Sequence, residues 1–237
     1  MHADVVIERI AKYLKLQNPM RLALDVGCGT GISTVALKEI SARVVGVDTS
    51  AEMLAHAQRE GSVEYIRAAA EALPFCDGTF KLATVSSAFH WFERERFLFE
   101  ISRVLTRRGW LVVYNNAFQA RMQENDAFHE AFRALYPKRY PTPIRDWRPV
   151  TREGVVEYGF DLLHEEKYTN DVTFTPGELV DYLSTQSNII AAVEGGGERL
   201  DSVREWLTAT FTPFFTGATA TFEFGGLITF LRKRPLA

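Results

Sequence analysis

The sequence predicts an α/β fold built on a doubly wound, mostly parallel sheet. Three observations carry this reading. Short apolar runs alternate with amphipathic stretches through the first half of the chain. The first apolar run passes into a glycine-rich segment, LDVGCGTGIS at 24–33, where a strand must turn sharply into a helix. The next apolar run closes on an acidic residue, Asp48.

Each element follows from local pattern. Residues 5–16 carry apolar side chains at helical spacing, and Asn18-Pro19 closes them. Residues 21–26 read as the first strand, 33–40 as a helix and 43–47 as the second strand. Ser50 is placed to cap a helix running to Arg59, with Gly61 just past its end. Residues 63–67 and 80–86 are a third and a fourth strand, the latter after the turn Cys76-Asp77-Gly78. Residues 93–105 are amphipathic and end at Arg107-Arg108-Gly109; 110–114 is a fifth strand. The alternation stops near Asn115.

From 117 to 150 the chain is rich in aromatics, arginine and proline. It is too apolar for a linker and too irregular for a sheet strand, so it reads as an insertion over the carboxyl edge of the sheet. A short helix at 151–158, a long strand within 160–174, and helices at 176–193 and 198–215 follow, the last two separated by Gly195-Gly196-Gly197. A final strand at 218–232 contains a Gly225-Gly226 kink or bulge. Seven strands result. The organisation is a ligand-binding core at 1–116, an inserted cap at 117–150, and a remainder of the same sheet with covering helices at 151–237.

Composition excludes several classes. The chain has 237 residues, 46% hydrophobic and 24% charged, enough for one elaborated α/β domain. A net charge of −3 gives no support for a general nucleic-acid or membrane-surface binder. Cys28 and Cys76 lack metal-ligand spacing, and no metal is expected. The absence of a disulfide framework, of an apolar signal core and of an apolar run near about 18 residues makes cytoplasm the default location.

Glycine spacing narrows the ligand. Strand, glycine loop and helix is how an α/β sheet presents backbone N–H groups to a ligand. A dinucleotide loop needs G-x-G-x-x-G, and the position wanted by its third glycine is Ile32. Here Asp25 precedes Gly27, Gly29 and Gly31 in the pattern D-x-G-x-G-x-G, which argues against a nicotinamide-dependent oxidoreductase.

This pattern resembles motif I of the class I S-adenosylmethionine (SAM)-dependent methyltransferases, and Asp48 stands where that family has its ribose-binding acid. Ala70-Glu71-Ala72-Leu73-Pro74-Phe75 with Asp77-Gly78-Thr79-Phe80 looks like motif II of the UbiE-like branch. Phe89-His90-Trp91-Phe92 resembles the segment after its fourth strand, and Arg103-Val104-Leu105 with Gly109 matches the approach to strand five. Tyr182-Leu183-Ser184-Thr185-Gln186-Ser187 is similar to a segment of trans-aconitate-methyltransferase-like members. The resemblance implies a Rossmann-like, seven-stranded sheet with an antiparallel last strand. It also implies SAM as cofactor, with S-adenosylhomocysteine as product.

The resemblance assigns site residues. Asp25 either approaches the ammonium of the methionine part or braces the loop. Gly27, Gly29 and Gly31 let the backbone near the ligand, with Cys28 and Thr30 contributing backbone groups. Asp48 takes the ribose hydroxyls; Thr49 and Met53 are candidates for the adenine wall. Family members commonly carry Gly-Asp before motif II, but this chain has Ala68 and Ala69. Adenine is then left to the backbone of Ala69 and Ala70, and to Glu71. His90 is a base or a positioning group, and Trp91 a wall of the acceptor pocket.

Five basic residues and one acidic residue between Arg133 and Arg148, interleaved with Tyr136, Tyr140 and Trp147, form either an anion-capturing lid or a solvated basic face. Arg133, Tyr136, Arg145, Trp147 and Gln186 are the substrate candidates. The expected activity is methylation of a small molecule, at a carboxylate or hydroxyl oxygen, without nucleic-acid or membrane partners; the sequence is silent on oligomeric state. A SAM-binding regulatory protein without turnover and a methyltransferase acting on RNA are the alternatives.

Overall fold

A computed structural model describes residues 4–235. The elements are α1 (Asp4–Leu14), β1 (Ala23–Val26), α2 (Ile32–Ala36), β2 (Val44–Asp48), α3 (Ala51–Ala55), β3 (Val63–Arg67), β4 (Phe80–Ser86), α4 (Arg94–Val104), β5 (Leu105–Tyr114), β6 (Ala117–Met122), α5 (Ala127–Arg139), α6 (Arg152–Val156), β7 (Phe160–Phe174), α7 (Pro176–Ser184), α8 (Ser187–Glu194), α9 (Leu200–Phe211) and β8 (Ala220–Lys233).

The sheet runs β3-β2-β1-β4-β5-β8-β6, with β7 also pairing to β8. The five strands β1 to β5 pair in parallel, and β8 runs antiparallel to β5 and β6. This is the expected Rossmann-like α/β class. The strand reversal on either side of β1 puts a crevice at the carboxyl ends of β1 and β4.

The chain divides into two compact units. The first comprises residues 1–116, 146–168 and 226–237; the second comprises 117–145 and 169–225. In the first unit the central strands β1, β2 and β4 are buried on both faces, as a parallel sheet covered by helices requires, while the edge strand β3 is partly exposed. Successive residues of β1 and β2 point to opposite sides. Ala23 and Val44 join Val6, Ile7 and Ile10 of α1 and Leu37; Leu24, Val26, Val45 and Val47 join Phe97, Leu98 and Ile101 of α4.

The second unit has its own core of Phe128, Tyr136, Tyr140, Leu179, Leu183, Val203, Leu207, Phe211, Phe222 and Phe224. The aromatic density of 117–150 is thus mainly packing density.

Four local expectations need correction. The segment 117–150 was expected to hold no strand, but β6 pairs with β8 and α5 follows it. Register breaks between Phe118 and Arg121, where Ala120 has φ +53°, and this irregularity hides the strand in the sequence. The helix expected at 176–193 is two helices. Ser184 Oγ and Thr185 Oγ1 each donate to a carbonyl of the preceding turn, at 2.7 Å, and Gln186 is extended.

The helix after Ser50 stops at Ala55, because the chain leaves to donate from Gln58 N–H to the Thr30 carbonyl at 3.1 Å. The fifth strand begins at Leu105, where Leu105 pairs with Phe80 and a register shift absorbs the residues around Arg108.

Candidate cofactor and acceptor site

Asp25, the penultimate residue of β1, is fully buried. Its Oδ2 accepts from Ser33 Oγ at 2.6 Å and Thr34 Oγ1 at 2.8 Å, and its Oδ1 accepts from Thr84 Oγ1 at 2.8 Å. Burial raises its pKa above the ordinary carboxylate value, and the three hydroxyls oppose that shift. The carboxylate ties the start of α2 and the middle of β4 to the root of the loop. Ser33, Thr34 and Thr84 were not singled out from sequence; the paired hydroxyls of Ser33 and Thr34 just past the loop were the available signal, and Thr84 carried none.

The glycines have different jobs. A Cβ on Gly31 (φ +81°) would lie 2.0 Å from Tyr65 Oη, and one on Gly27 (φ +71°) would lie 2.5 Å from Ala88 Cβ. Those two glycines admit neighbouring protein. Gly29 (φ +52°) alone of the three has no heavy atom within 4 Å of an added Cβ, so its face is open.

The expectation of donated N–H groups is corrected here. Gly27 and Cys28 N–H donate to the Val47 carbonyl at 2.8 and 3.1 Å, and Gly31 N–H to the Cys28 carbonyl at 2.9 Å. Gly29 N–H donates to Asp48 Oδ2 at 2.8 Å. With these donors spent, the loop is a poor anion cradle and is compatible with a ligand whose amino-acid end carries an ammonium.

Asp48, half-buried at the end of β2, also accepts from Ser50 N–H through Oδ1 at 2.9 Å. A carboxylate offers roughly four lone-pair directions. Each oxygen of Asp48 therefore keeps capacity for one ribose hydroxyl. Thr49 is exposed, and its carbonyl accepts from Arg67 Nε at 2.9 Å. Met53 is 39% exposed on α3, whose cap is Ser50. Cys28 is buried with its thiol pKa pushed up by burial, so its side chain packs and does not ionise. The Thr30 carbonyl serves Gln58.

The adenine-side candidates lie on a braced segment. Ala69 accepts from Ala72 N–H at 3.1 Å, and Ala70 is buried. Glu71 Oε1 accepts from Glu93 N–H at 2.9 Å. Arg103 donates to the carbonyls of Phe75 and Leu73 at 2.7 and 3.0 Å, while Glu100 accepts from Leu73 N–H at 2.7 Å. α4 thereby fixes the segment that follows β3.

After β4, Ser87 takes φ +52° and the chain turns through Phe89–Trp91. Phe92 Cζ lies 3.1 Å from the Cβ position of Gly27, so this turn abuts the glycine loop. His90 is half-buried and Trp91 is 53% exposed. The His90 ring stacks on Trp147 at 4.5 Å and 26° and lies 5.3 Å from the Trp91 ring.

The open face at Gly29, a carboxylate aimed across it, and an aromatic turn beside Gly27 fit SAM. A methyltransferase domain family matches residues 24–113, the span from β1 through β5. Over this span the chain is similar to the class I SAM-dependent methyltransferases.

Among curated relatives, the chain is 40% identical over 119 residues to demethylmenaquinone methyltransferase of Thermus thermophilus, covering 47% of this chain and 54% of that protein. It is 30% identical over 136 residues to malonyl-[acyl-carrier protein] O-methyltransferase of Buchnera aphidicola, covering 55% and 53%. The chain thus spans about half the length of these two relatives. A candidate type II methyltransferase from Anaeromyxobacter dehalogenans shares the fold, with a TM-score of 0.69, 22% identity, and 98% and 97% of the two chains covered.

The remaining substrate candidates separate. Arg133 is exposed on α5; Tyr136 is buried in the second unit's core and donates to Asn188 Oδ1 at 3.2 Å. Arg145 donates to Ser187 Oγ, and Gln186, the residue before α8, donates to the Tyr182 carbonyl at 3.2 Å. Trp147 belongs to the first unit, against His90. Several of the arginines are paired: Arg139 with Glu198, and Arg148 with Asp146 and Glu95. Among the described residues no cluster of metal-ligating side chains occurs, and no helix is long and apolar enough to cross a membrane.

Proposed function

We propose that the chain transfers the methyl group of SAM to an oxygen, carboxylate or hydroxyl, of a small-molecule acceptor. The observation that carries this is the turn Phe89–Trp91, which sets a histidine and a half-exposed indole beside the glycine loop. Asp48 and the Gly29 backbone would hold the nucleoside, and Asp25 would keep the loop in shape from below. Bound SAM supplies an activated methyl at a sulfonium centre. The protein has then to align the acceptor oxygen and keep water away. A carboxylate acceptor needs no base; a hydroxyl can give its proton to His90.

Pairing of arginines with carboxylates leaves little of the cationic surface that RNA binding needs, which favours a small acceptor over RNA. The similarity to a malonyl-[acyl-carrier protein] O-methyltransferase supports oxygen as the methylated atom. Two cysteines without a disulfide suit a reducing cytoplasm.

The test is incubation with methyl-labelled SAM and a metabolite extract, followed by mild base. Label released as methanol identifies an ester; base-stable label is an ether only if mass spectrometry of the product places the methyl on oxygen, and a methyl on nitrogen or carbon counts against the proposal. Label recovered only in RNA, or in nothing, would sink the proposal.

A further inference from the structure

Arg94 opens α4 just after the Phe89–Trp91 turn, and its side chain is only 10% exposed. Its guanidinium lies over the Phe89 ring, 4.8 Å from the centroid. From there it engages a segment 54 and 55 residues further on. Nη2 donates to the Arg148 carbonyl at 2.7 Å, and Nη1 to the Pro149 carbonyl at 3.2 Å. Nε faces the Asp146 carboxylate at 3.3 Å. Asp146 N–H donates to the His90 carbonyl at 3.2 Å, and Arg148 is tied back to Asp146 at 2.6 Å and to Glu95 at 3.2 Å.

Trp147 is the residue held inside this strap. It is 60% exposed, yet its backbone is fixed on both sides and its ring stacks on His90. Burying a guanidinium is costly unless its donors and charge are matched; here Nη1 and Nη2 donate to backbone carbonyls, while Nε makes no hydrogen bond and faces the Asp146 carboxylate as an ion pair. An indole so held is oriented before any ligand arrives, and this lowers the ordering cost of binding.

We propose that Arg94 is a positioning residue of the acceptor site, acting through the strap 146–149 to hold Trp147 on His90 as one wall of that site. This rests on the methyltransferase reading and adds to it how the wall is set. Lysine at this position keeps a charge for Asp146 but lacks the planar fork that reaches two carbonyls at once.

The experiment compares wild type, Arg94→Lys and Trp147→Phe. The near-UV circular dichroism difference between wild type and Trp147→Phe isolates the Trp147 band. Arg94→Lys is expected to lose most of that band while binding S-adenosylhomocysteine within about twofold of wild type, because no group assigned to the donor is touched. In a dilution series of metabolite extract with labelled SAM, its half-saturating concentration should rise at least about tenfold, with the plateau falling less than about threefold. A retained band, a parallel loss of S-adenosylhomocysteine affinity, or a fallen plateau without a shift in half-saturation overturns the proposal. A wild type that binds no S-adenosylhomocysteine overturns the donor reading instead, and the band reports on the strap without donor. If Arg94→Lys does not fold, Asp146→Asn carries the same test.

Discussion

The carboxylate of Asp48 accepts the N–H of Gly29 at 2.8 Å, so the end of β2 holds the one glycine of the loop whose face is open. In the proposed site, donor binding and loop shape would therefore share a residue. We expect Asp48→Ala to weaken S-adenosylhomocysteine binding by about 2–4 kcal/mol, the worth of two charge-assisted hydrogen bonds. Asp48→Asn keeps one acceptor for Gly29 and should lose less. Calorimetric titration of both variants measures the difference; equal affinities for wild type and Asp48→Ala would remove Asp48 from the site.

Gly29 and Gly31 should respond oppositely to alanine. At Gly31 the methyl meets Tyr65 at 2.0 Å with φ +81°, so folding stability pays first. At Gly29 there is space, and only a backbone cost of about 1 kcal/mol at φ +52°. We expect Gly31→Ala to lower the unfolding midpoint strongly, and Gly29→Ala to lower it little but to weaken cofactor binding. Thermal unfolding beside calorimetry separates the two.

Thr84→Val removes one of three donors from the buried Asp25 carboxylate. A loss of about 1–3 kcal/mol is expected at neutral pH, the cost of an unsatisfied buried acceptor. Burial already raises the folded pKa of Asp25 above 3.8, and losing a donor raises it further. Ionised Asp25 is the state that suffers. The deficit of Thr84→Val should therefore grow as pH rises through the raised folded pKa of Asp25 and shrink in acid below it. Urea unfolding at pH 5 and pH 8 tests the sign, and a deficit larger in acid would contradict it.

The strap around Trp147 should open in acid. Hydrogen bonds from Arg148, with the Arg94 charge behind them, pull the Asp146 carboxyl from 3.8 down to about 2. A depressed carboxylate stabilises the fold above its unfolded value and loses that contribution as pH falls through its folded value. Glu95 is also held below its ordinary value, first by its own backbone N–H and then by Arg148. We expect the Trp147 band to hold from neutral pH to about pH 4 and fade toward pH 2. Fading well above pH 4 would place its cause elsewhere.

His90→Ala discriminates a base from a wall. If His90 takes a hydroxyl proton, label transfer should fall by about 10²–10⁴-fold with cofactor affinity intact. With a carboxylate acceptor the loss should be small and confined to acceptor saturation. Single-turnover measurements with labelled SAM give the answer.

The parallel core of this protein was legible because its determinants are local. D-x-G-x-G-x-G and an acid at the end of β2 are short-range patterns, and parallel strands buried on both faces read as apolar runs. The acid's chemistry was less legible. Asp25 meets Ser33 and Thr34 across a turn and Thr84 from a neighbouring strand, 59 residues away in sequence. Nothing in the spacing of Thr84 marks it. The β6 strand was missed because its register breaks at Ala120, and the aromatics of 117–150 drew attention to a lid when Tyr136 and Tyr140 fill a core.

The sequence by itself determined the fold class and the likeness to SAM-dependent methyltransferases, since those depend on neighbours within one strand–loop–helix unit and its successor. Tertiary structure decided which glycine is open, which hydroxyls brace Asp25, and that Arg94 carries Trp147 to His90. Those relations join residues distant along the chain, and only the packing of the sheet brings them within hydrogen-bond reach.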